Sequence, residues 1–247
     1  MFNFLFGKKA PAEARLFYKT DVHCHIMPGV DHGASDEAES LQLIEAEQRW
    51  GIERIILTPH VTETTFENTP ETLAAGFDRI TSAVSDAANP VKLAYSAEYR
   101  IDTLFTEQYE NDRLVPMPEK YILVENSYVQ EPWDLDKLLF DLRLKEFTPI
   151  LAHPERFKYY HHKPERYEQL HAAGFFQINL LSLAGYHGKE EKKIAEKLVE
   201  KGYADFLGSD IHHSRHVEAI DAYLRTKDYR RMLPYLEKSV KNDTIKF

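Results

Sequence analysis

Thr20-Asp21-Val22-His23-Cys24-His25 is the first stretch of the chain with strand character, and it ends on two histidines spaced i, i+2. Side chains alternate along a strand, so Asp21, His23 and His25 are expected on one face and Cys24 on the other. Two imidazoles on one face can bind one metal ion. Working outward, short apolar runs recur at 54–58, 92–98, 121–125, 149–152, 175–180 and 204–208. Each is followed by a segment able to form a helix. The first helix is expected to start at Asp36, with Glu39 completing a capping box, and to stop before Gly51. Another, over about 189–201, places Ile194, Ala195, Leu198 and Val199 on one stripe and stops before Gly202. Strand–helix alternation of this kind predicts an α/β fold with parallel strands. The expected form is a distorted seven-unit (β/α)7 barrel of TIM-like type; a doubly wound open sheet fits the same alternation.

The strand ends carry the chemistry. The second run leads into Thr58-Pro59-His60, the third ends at Glu98 and the fourth at Glu125. The fifth runs into His153-Pro154-Glu155-Arg156, and the last into Ser209-Asp210-Ile211-His212. Parallel α/β folds place their chemistry at the C-terminal ends of their strands, so these residues are expected to meet at one mouth. Neighbouring carboxylates repel one another unless cations compensate them. Imidazole and carboxylate donors without thiolate suit Mn, Fe, Zn or Co better than Ca or Mg. Gln177 and Asn179 share a face of the sixth strand, where they either hydrogen-bond near the site or fill the mouth.

Composition bounds the partners. The chain has 247 residues, 31 Lys+Arg and 40 Asp+Glu, for a formal charge of -9. That balance disfavours nucleic acid and anionic membranes, and any phosphate site must supply its own positive charge. No apolar run is long enough to span a bilayer. The single cysteine, Cys24, excludes a disulfide within the chain and fits a reducing, cytoplasmic setting. Residues 1–18 are expected to form a tail, with Phe2, Phe4, Leu5 and Phe6 as an alternative docking element, and 19–247 a single domain. The segment 218–247 reads as C-terminal helix packed on the barrel through Leu224, Met232, Leu233 and Leu236.

Together these motifs resemble the PHP (polymerase and histidinol phosphatase) superfamily. Within it, the resemblance is to the bacterial tyrosine phosphatases of capsule and exopolysaccharide operons. It is carried by D-V-H-C-H-I-M-P-G-V-D-H-G at 21–33, T-P-H at 58–60, A-E-Y at 97–99, V-E-N at 124–126, A-H-P-E-R at 152–156 and G-S-D-I-H at 208–212. The resemblance implies two or three divalent metals, manganese first, with Fe, Zn or Co also compatible. It implies His23, His25, Glu98 and Asp210 around one metal, Glu98, Glu125 and His153 around a second, and His60 and His212 at a third. Arg156 and Arg215 are implied to grip phosphate, and Asp21 to support the imidazoles. Where the family usually has Asp-Asp-Gly, this chain has Asp31-His32-Gly33, so His32 is the expected replacement ligand at the third metal. The substitution removes a negative charge and adds a softer donor, which favours a weaker or more zinc- or iron-like third site.

The implied reaction is hydrolysis of a phosphate monoester, protein phosphotyrosine first, with a bacterial tyrosine kinase as the expected partner. Histidinol phosphate or another small ester is the alternative substrate. A weakly active, metal-stabilised binding module is the alternative class, and homo-oligomerisation stays open. Cysteine-based phosphatases need Arg six positions after the nucleophile, where this chain has Val30. Alkylating Cys24 is therefore expected to leave phosphatase activity in place; loss of activity with metals retained would sink the metal route.

Overall fold

The computed structural model describes residues 14–85 and 91–247. Phe2, Phe4, Leu5 and Phe6 lie outside the described residues. In chain order the elements are β1 (Thr20–Asp21), α1 (Glu37–Trp50), β2 (Arg54–Leu57), β3 (His60–Val61), α2 (Pro70–Ser85), β4 (Lys92–Tyr95), β5 (Glu98–Arg100), α3 (Thr103–Glu110), β6 (Tyr121–Glu125), α4 (Leu135–Leu144), β7 (Thr148–Ala152), α5 (Pro164–Ala173), β8 (Phe175–Asn179), α6 (Leu180–Ala184), α7 (Lys189–Glu200), β9 (Phe206–Gly208), α8 (Ser214–Leu224) and α9 (Lys227–Ser239).

The fold is mixed α/β with parallel strands in two sheets, ordered β1-β2-β4 and β3-β5-β6-β7-β8-β9. Two of the expected runs sit beside an additional short strand. Pro59 has no N–H to give a ladder, so β2 fills the run at 54–58 and β3 starts beyond it at His60. The neighbouring run breaks beside it, into β4 and β5. Backbone bonds still cross the break, from Ser96 N to Leu57 O (2.9 Å) and from Glu98 N to Pro59 O (3.0 Å).

The first run is shorter than expected, because its ladder with β2 covers only Thr20 and Asp21. Asp21 Oδ1 then accepts from His23 N at 3.3 Å, an Asx-type contact that bends the chain. The expected alternation fails at this bend. Val22 joins an inner apolar cluster with Ile56, Leu123, Ile150 and Phe206, whereas Cys24 packs in the outer layer that holds Leu43 and Trp50. Asp21 is thus not on the face of His23 and His25; its buried carboxyl lies against Ser209 and Glu47 of α1.

The helix limits follow their caps. Asp36 accepts from Glu39 N, and Gly51 closes α1 in the left-handed region at φ 98°. Glu39 bonds Ser35 N and Oγ rather than the cap's own amide. The stripe on α7 is buried as expected through Ile194, Ala195, Leu198 and Val199. The C-terminal segment forms two helices, α8 and α9. Residues 14–18, placed in the tail by sequence, pack on the core: Tyr18 is buried and Leu16 N donates to Trp50 O.

No β-ladder joins β9 to β1 among the described residues. Other bonds cross between them. Asp210 N donates to His23 O (2.8 Å) and His25 N to Ile211 O (3.0 Å). Buried Asn242 bridges the opposite end: Oδ1 accepts from Leu207 N (2.9 Å), while Nδ2 donates to Thr20 O (2.8 Å) and Leu207 O (2.7 Å). Removing that amide orphans buried backbone groups on both sides. Asn242→Ala is expected to destabilise the protein by about 2–4 kcal/mol in urea unfolding. A change below about 0.5 kcal/mol would show that the bridge is dispensable.

Candidate metal centre

The strand ends and the loops after them bring polar side chains onto one mouth. His23 and His25 follow β1, His60 starts β3, Glu98 starts β5, Glu125 ends β6, His153 follows β7, and Asp210 and His212 follow β9. All except His60 are buried. Two of them have left-handed backbones that L-residues rarely adopt, His153 at φ 32° and Asp210 at φ 51°. Such strain costs of order 1–3 kcal/mol and persists where the surroundings enforce it. His153 N is held by Gln177 O (2.7 Å) and Asp210 N by His23 O (2.8 Å). Two glycines make room: a Cβ on Gly33 would lie 2.0 Å from His25 O, and one on Gly208 would lie 2.6 Å from His23 Cβ.

The orientation of the imidazoles is fixed from behind. His23 Nδ1 lies 2.7 Å from Gln177 Oε1, and His25 Nδ1 lies 2.7 Å from Asp31 Oδ2. With acceptors there, each Nδ1 carries a proton, which leaves each Nε2 as the atom a metal would take. These two Nε2 atoms face each other at 3.2 Å. Both are 3.5 Å from Glu98 Oε2, and they lie 3.6 and 3.3 Å from Asp210 Oδ1. His60 Nδ1 is 2.9 Å from Glu98 Oε2, yet neither atom has a hydrogen-bond partner. His212 donates from Nδ1 to its neighbour's carbonyl, Asp210 O, at 2.9 Å, and its Nε2 is buried without a partner. Donor atoms that converge without satisfying one another fit cations placed between them.

Four overlapping triplets have donor atoms within 4.8 Å of one another: His23–His25–Asp210, His23–Glu98–His153, His25–His60–His212 and His60–Glu98–Glu125. Their charges are strongly perturbed. Burial alone would raise Glu98 and Asp210, but the surrounding histidines hold both well below the usual carboxylate range. Burial opposes a charged His25, yet Asp31 leads the groups that hold it well above the usual imidazole value. Burial, followed by the charge of His25, pushes His212 down to about 2. Metal binding would exchange these protons for a cation on the same donor atoms.

The mouth opens into a cavity of about 470 Å³. Glu98, Glu125, Asp210 and His212 line it, together with Arg100, Arg156, Tyr128 and Phe66. Arg100 Nε donates to Glu125 Oε2 (2.7 Å), and Arg156 Nη1 to Asp210 Oδ2 (3.2 Å). Both guanidiniums lie against Tyr128, at 5.5 and 5.0 Å from its centroid.

Three expected site residues sit differently. Asp21 does not touch an imidazole; Asp31 and Gln177 do that work. Arg215, in the first turn of α8, is exposed and outside the cavity lining, whereas Arg100 is inside it. His32 lines the cavity but stacks on His60 (centroids 5.0 Å, 6° between planes) and belongs to none of the four triplets. Arg100 was legible as the i+2 neighbour of Glu98 on one strand. Asn179 proves to be a site residue, with Nδ2 donating to Asp210 Oδ2 at 2.5 Å. Asp31 gave no signal beyond its motif, and Tyr128, outside every motif, gave none. Cys24 is fully buried, with burial pushing its thiol well up, so it is no nucleophile.

Comparison with known proteins gives a consistent picture. Residues 19–229 match the capsular polysaccharide synthesis family CpsB/CapC. The chain is 32% identical over 235 residues to tyrosine-protein phosphatase YwqE of Bacillus subtilis, covering 91% of this chain and 92% of that protein. It is 28% identical over 202 residues to tyrosine-protein phosphatase CpsB of Streptococcus pneumoniae, covering 78% and 82%. A solved chain from the crystal structures of YwqE and CpsB, there described as unique metal-dependent tyrosine phosphatases, superposes with a TM-score of 0.75 at 29% identity. That match covers 90% of this chain and 94% of the other. Removing the acceptor behind His23 tests the centre directly. Gln177→Leu is expected to weaken metal binding about 10–100-fold in a chelator competition; unchanged affinity would show that His23 is not a ligand.

Proposed function

The chain belongs to the CpsB/CapC family of capsular polysaccharide synthesis, and from that premise we propose that it is a metal-dependent protein-tyrosine phosphatase. One observation carries the reading: unsatisfied imidazole and carboxylate donors converge on the floor of a cavity whose wall holds two guanidiniums and an aromatic ring. His23, His25, Asp210 and Glu98 would hold one metal, and Glu98, Glu125 and His153 a second. His60 and His212 would hold a third, with His32 stacked beside it. Manganese is the metal we infer, and iron, zinc or cobalt satisfy the same donors. When bound, such metals supply Lewis-acid charge and lower the pKa of an attacking water.

The residues of the chain supply the rest. Arg100 and Arg156 grip the phosphoryl oxygens, exchanging their present carboxylate partners for substrate. Tyr128 and Phe66 offer apolar walls to an aryl ring. The leaving phenol has a pKa of about 10, so it departs with little help from an acid. The inferred substrate is a phosphotyrosine protein, with a tyrosine kinase of capsule synthesis as the partner. We further propose that the two sheets form one distorted (β/α)7 barrel, in support of which the bonds at His23, His25 and Asn242 cross between β9 and β1.

Metal-loaded protein should hydrolyse a phosphotyrosine peptide roughly 100-fold faster, in kcat/KM, than a phosphoserine peptide, following the leaving-group difference. His23→Ala should abolish turnover, and Arg100→Ala or Arg156→Ala should each cost about 10²–10³ in kcat/KM. Faster turnover of histidinol phosphate, or indifference to His23→Ala, would overturn the reading.

A further inference from the structure

Loop 126–134 runs from the end of β6, at the ligand candidate Glu125, to the start of α4. Its Tyr128 forms part of the cavity wall, stacked on His153 and flanked by both arginines. The residues just beyond face solvent to an unusual degree: Val129 is 86% exposed and Trp133 94%. The large apolar side chains exposed among the described residues are Tyr128, Val129, Trp133, Phe140, Leu144, Tyr186 and Tyr235. Five of these seven fall between 128 and 144, so the exposure is concentrated rather than scattered.

The loop is pinned. Glu131 accepts two bonds from Arg166, at 2.7 and 3.0 Å, and Arg166 also pairs with Asp136 at 3.0 Å. Ser127 O accepts from Tyr159 Oη, and Ser127 Oγ from Val129 N. The loop is therefore anchored at both 127 and 131 while Val129 and Trp133 are held out. An exposed tryptophan on an anchored loop is a preorganised contact, since little entropy is lost when it is covered.

Charge selects the occupant. The chain is acidic, at -9, and its long-range field repels a phosphorylated, acidic segment. Affinity for anything beyond the phosphoryl group must then come from short-range apolar contact. Trp133 lies five residues from Tyr128, at most about 17 Å along the chain, a span that an extended peptide covers in about five residues.

We propose that Val129 and Trp133 form a docking ledge for a large apolar side chain lying within about five residues of the phosphotyrosine in a protein substrate. The ledge rests on the reading of the cavity as a phosphotyrosine site. It makes Trp133 a specificity determinant that small aryl phosphates do not touch.

The test uses the metal-loaded full chain and its Val129→Ser/Trp133→Ser variant. Substrates are p-nitrophenyl phosphate and phosphotyrosine peptides that differ only in Leu against Ser at positions up to five residues from the phosphotyrosine. The unaltered protein should prefer a Leu-bearing peptide by about tenfold in kcat/KM, chiefly through KM. The variant should lose that preference while its rate on p-nitrophenyl phosphate stays within about twofold. No preference in the unaltered protein, or a preference that survives in the variant, overturns the ledge and leaves the phosphatase reading standing. So does a shift from dimer to monomer in sedimentation with the preference intact, which would assign the ledge to a second copy of the chain. Absence of turnover on every ester by the unaltered protein brings down the cavity reading and the ledge with it.

Discussion

His23 and His25 point their Nε2 atoms at each other across 3.2 Å, and much of the mouth is built to keep them there. In the neutral form that a metal requires, two imidazoles would not choose this contact, since each then offers a lone pair to the other. It is enforced because Gln177 and Asp31 occupy the Nδ1 positions. Asp31 also accepts from the backbone of His60 at 3.0 Å and from Gly33 at 2.8 Å, so one carboxylate ties together the first loop, His25 and β3. Proximity at this scale leaves no room for side chains elsewhere, which accounts for the glycines at 33 and 208. Beside it His153 and Asp210 keep left-handed backbones, held by the bonds from their N–H groups to Gln177 O and His23 O.

Below the mouth the same strand interior turns apolar. Val22, Ile56, Leu123, Ile150 and Phe206, with Met117 and Ile245, form an inner cluster separate from the larger layer between sheets and helices. The polar floor thus sits on a packed support rather than on solvent, and burial strengthens each charge interaction above it. Mutual neutralisation is what makes so many titratable groups tolerable there. The surrounding histidines hold Glu98 and Asp210 below the usual carboxylate range, and Asp31 leads the groups that hold His25 above the usual imidazole value.

Much of this was legible in the sequence because ligand chemistry is local. A run of four to seven residues leading into His, Asp or Glu identifies both the element and the end of it that matters, and six such endings in order carry the family resemblance. What depended on the path of the chain was not legible. Alternation from Asp21 to His25 assumed an unbroken strand, and the contact from the Asp21 carboxylate to His23 N ended it after two residues. Beyond Pro59, β3 had no apolar run to mark it. Arg215 follows a ligand motif by three residues, yet α8 starts at Ser214, and motif spacing does not contain that helix's phase. Tyr128 reaches the cavity through a loop and is not visible in a motif of ligands, and Arg100 was visible only in its i+2 spacing from Glu98. His32 stands where the resemblance led one to expect an acid, and its ring packs face to face on His60 and Phe66.

The two arginines link this geometry to charge. An acidic chain needs local positive charge to hold a phosphate, and Arg100 and Arg156 lie in the cavity wall. Each is paired with a carboxylate that is also a ligand candidate, Glu125 for Arg100 and Asp210 for Arg156. A carboxylate that gives its charge to a cation holds a guanidinium less tightly, so in the proposed site filling the centre would also free the two arginines for phosphate. Three carboxylates, Glu98, Glu125 and Asp210, cannot neutralise two or three divalent ions and two guanidiniums by themselves. On the proposed reading, a dianionic phosphate ester would be the counter-ion for such a centre, and its affinity would come from that imbalance rather than from the net charge of the chain.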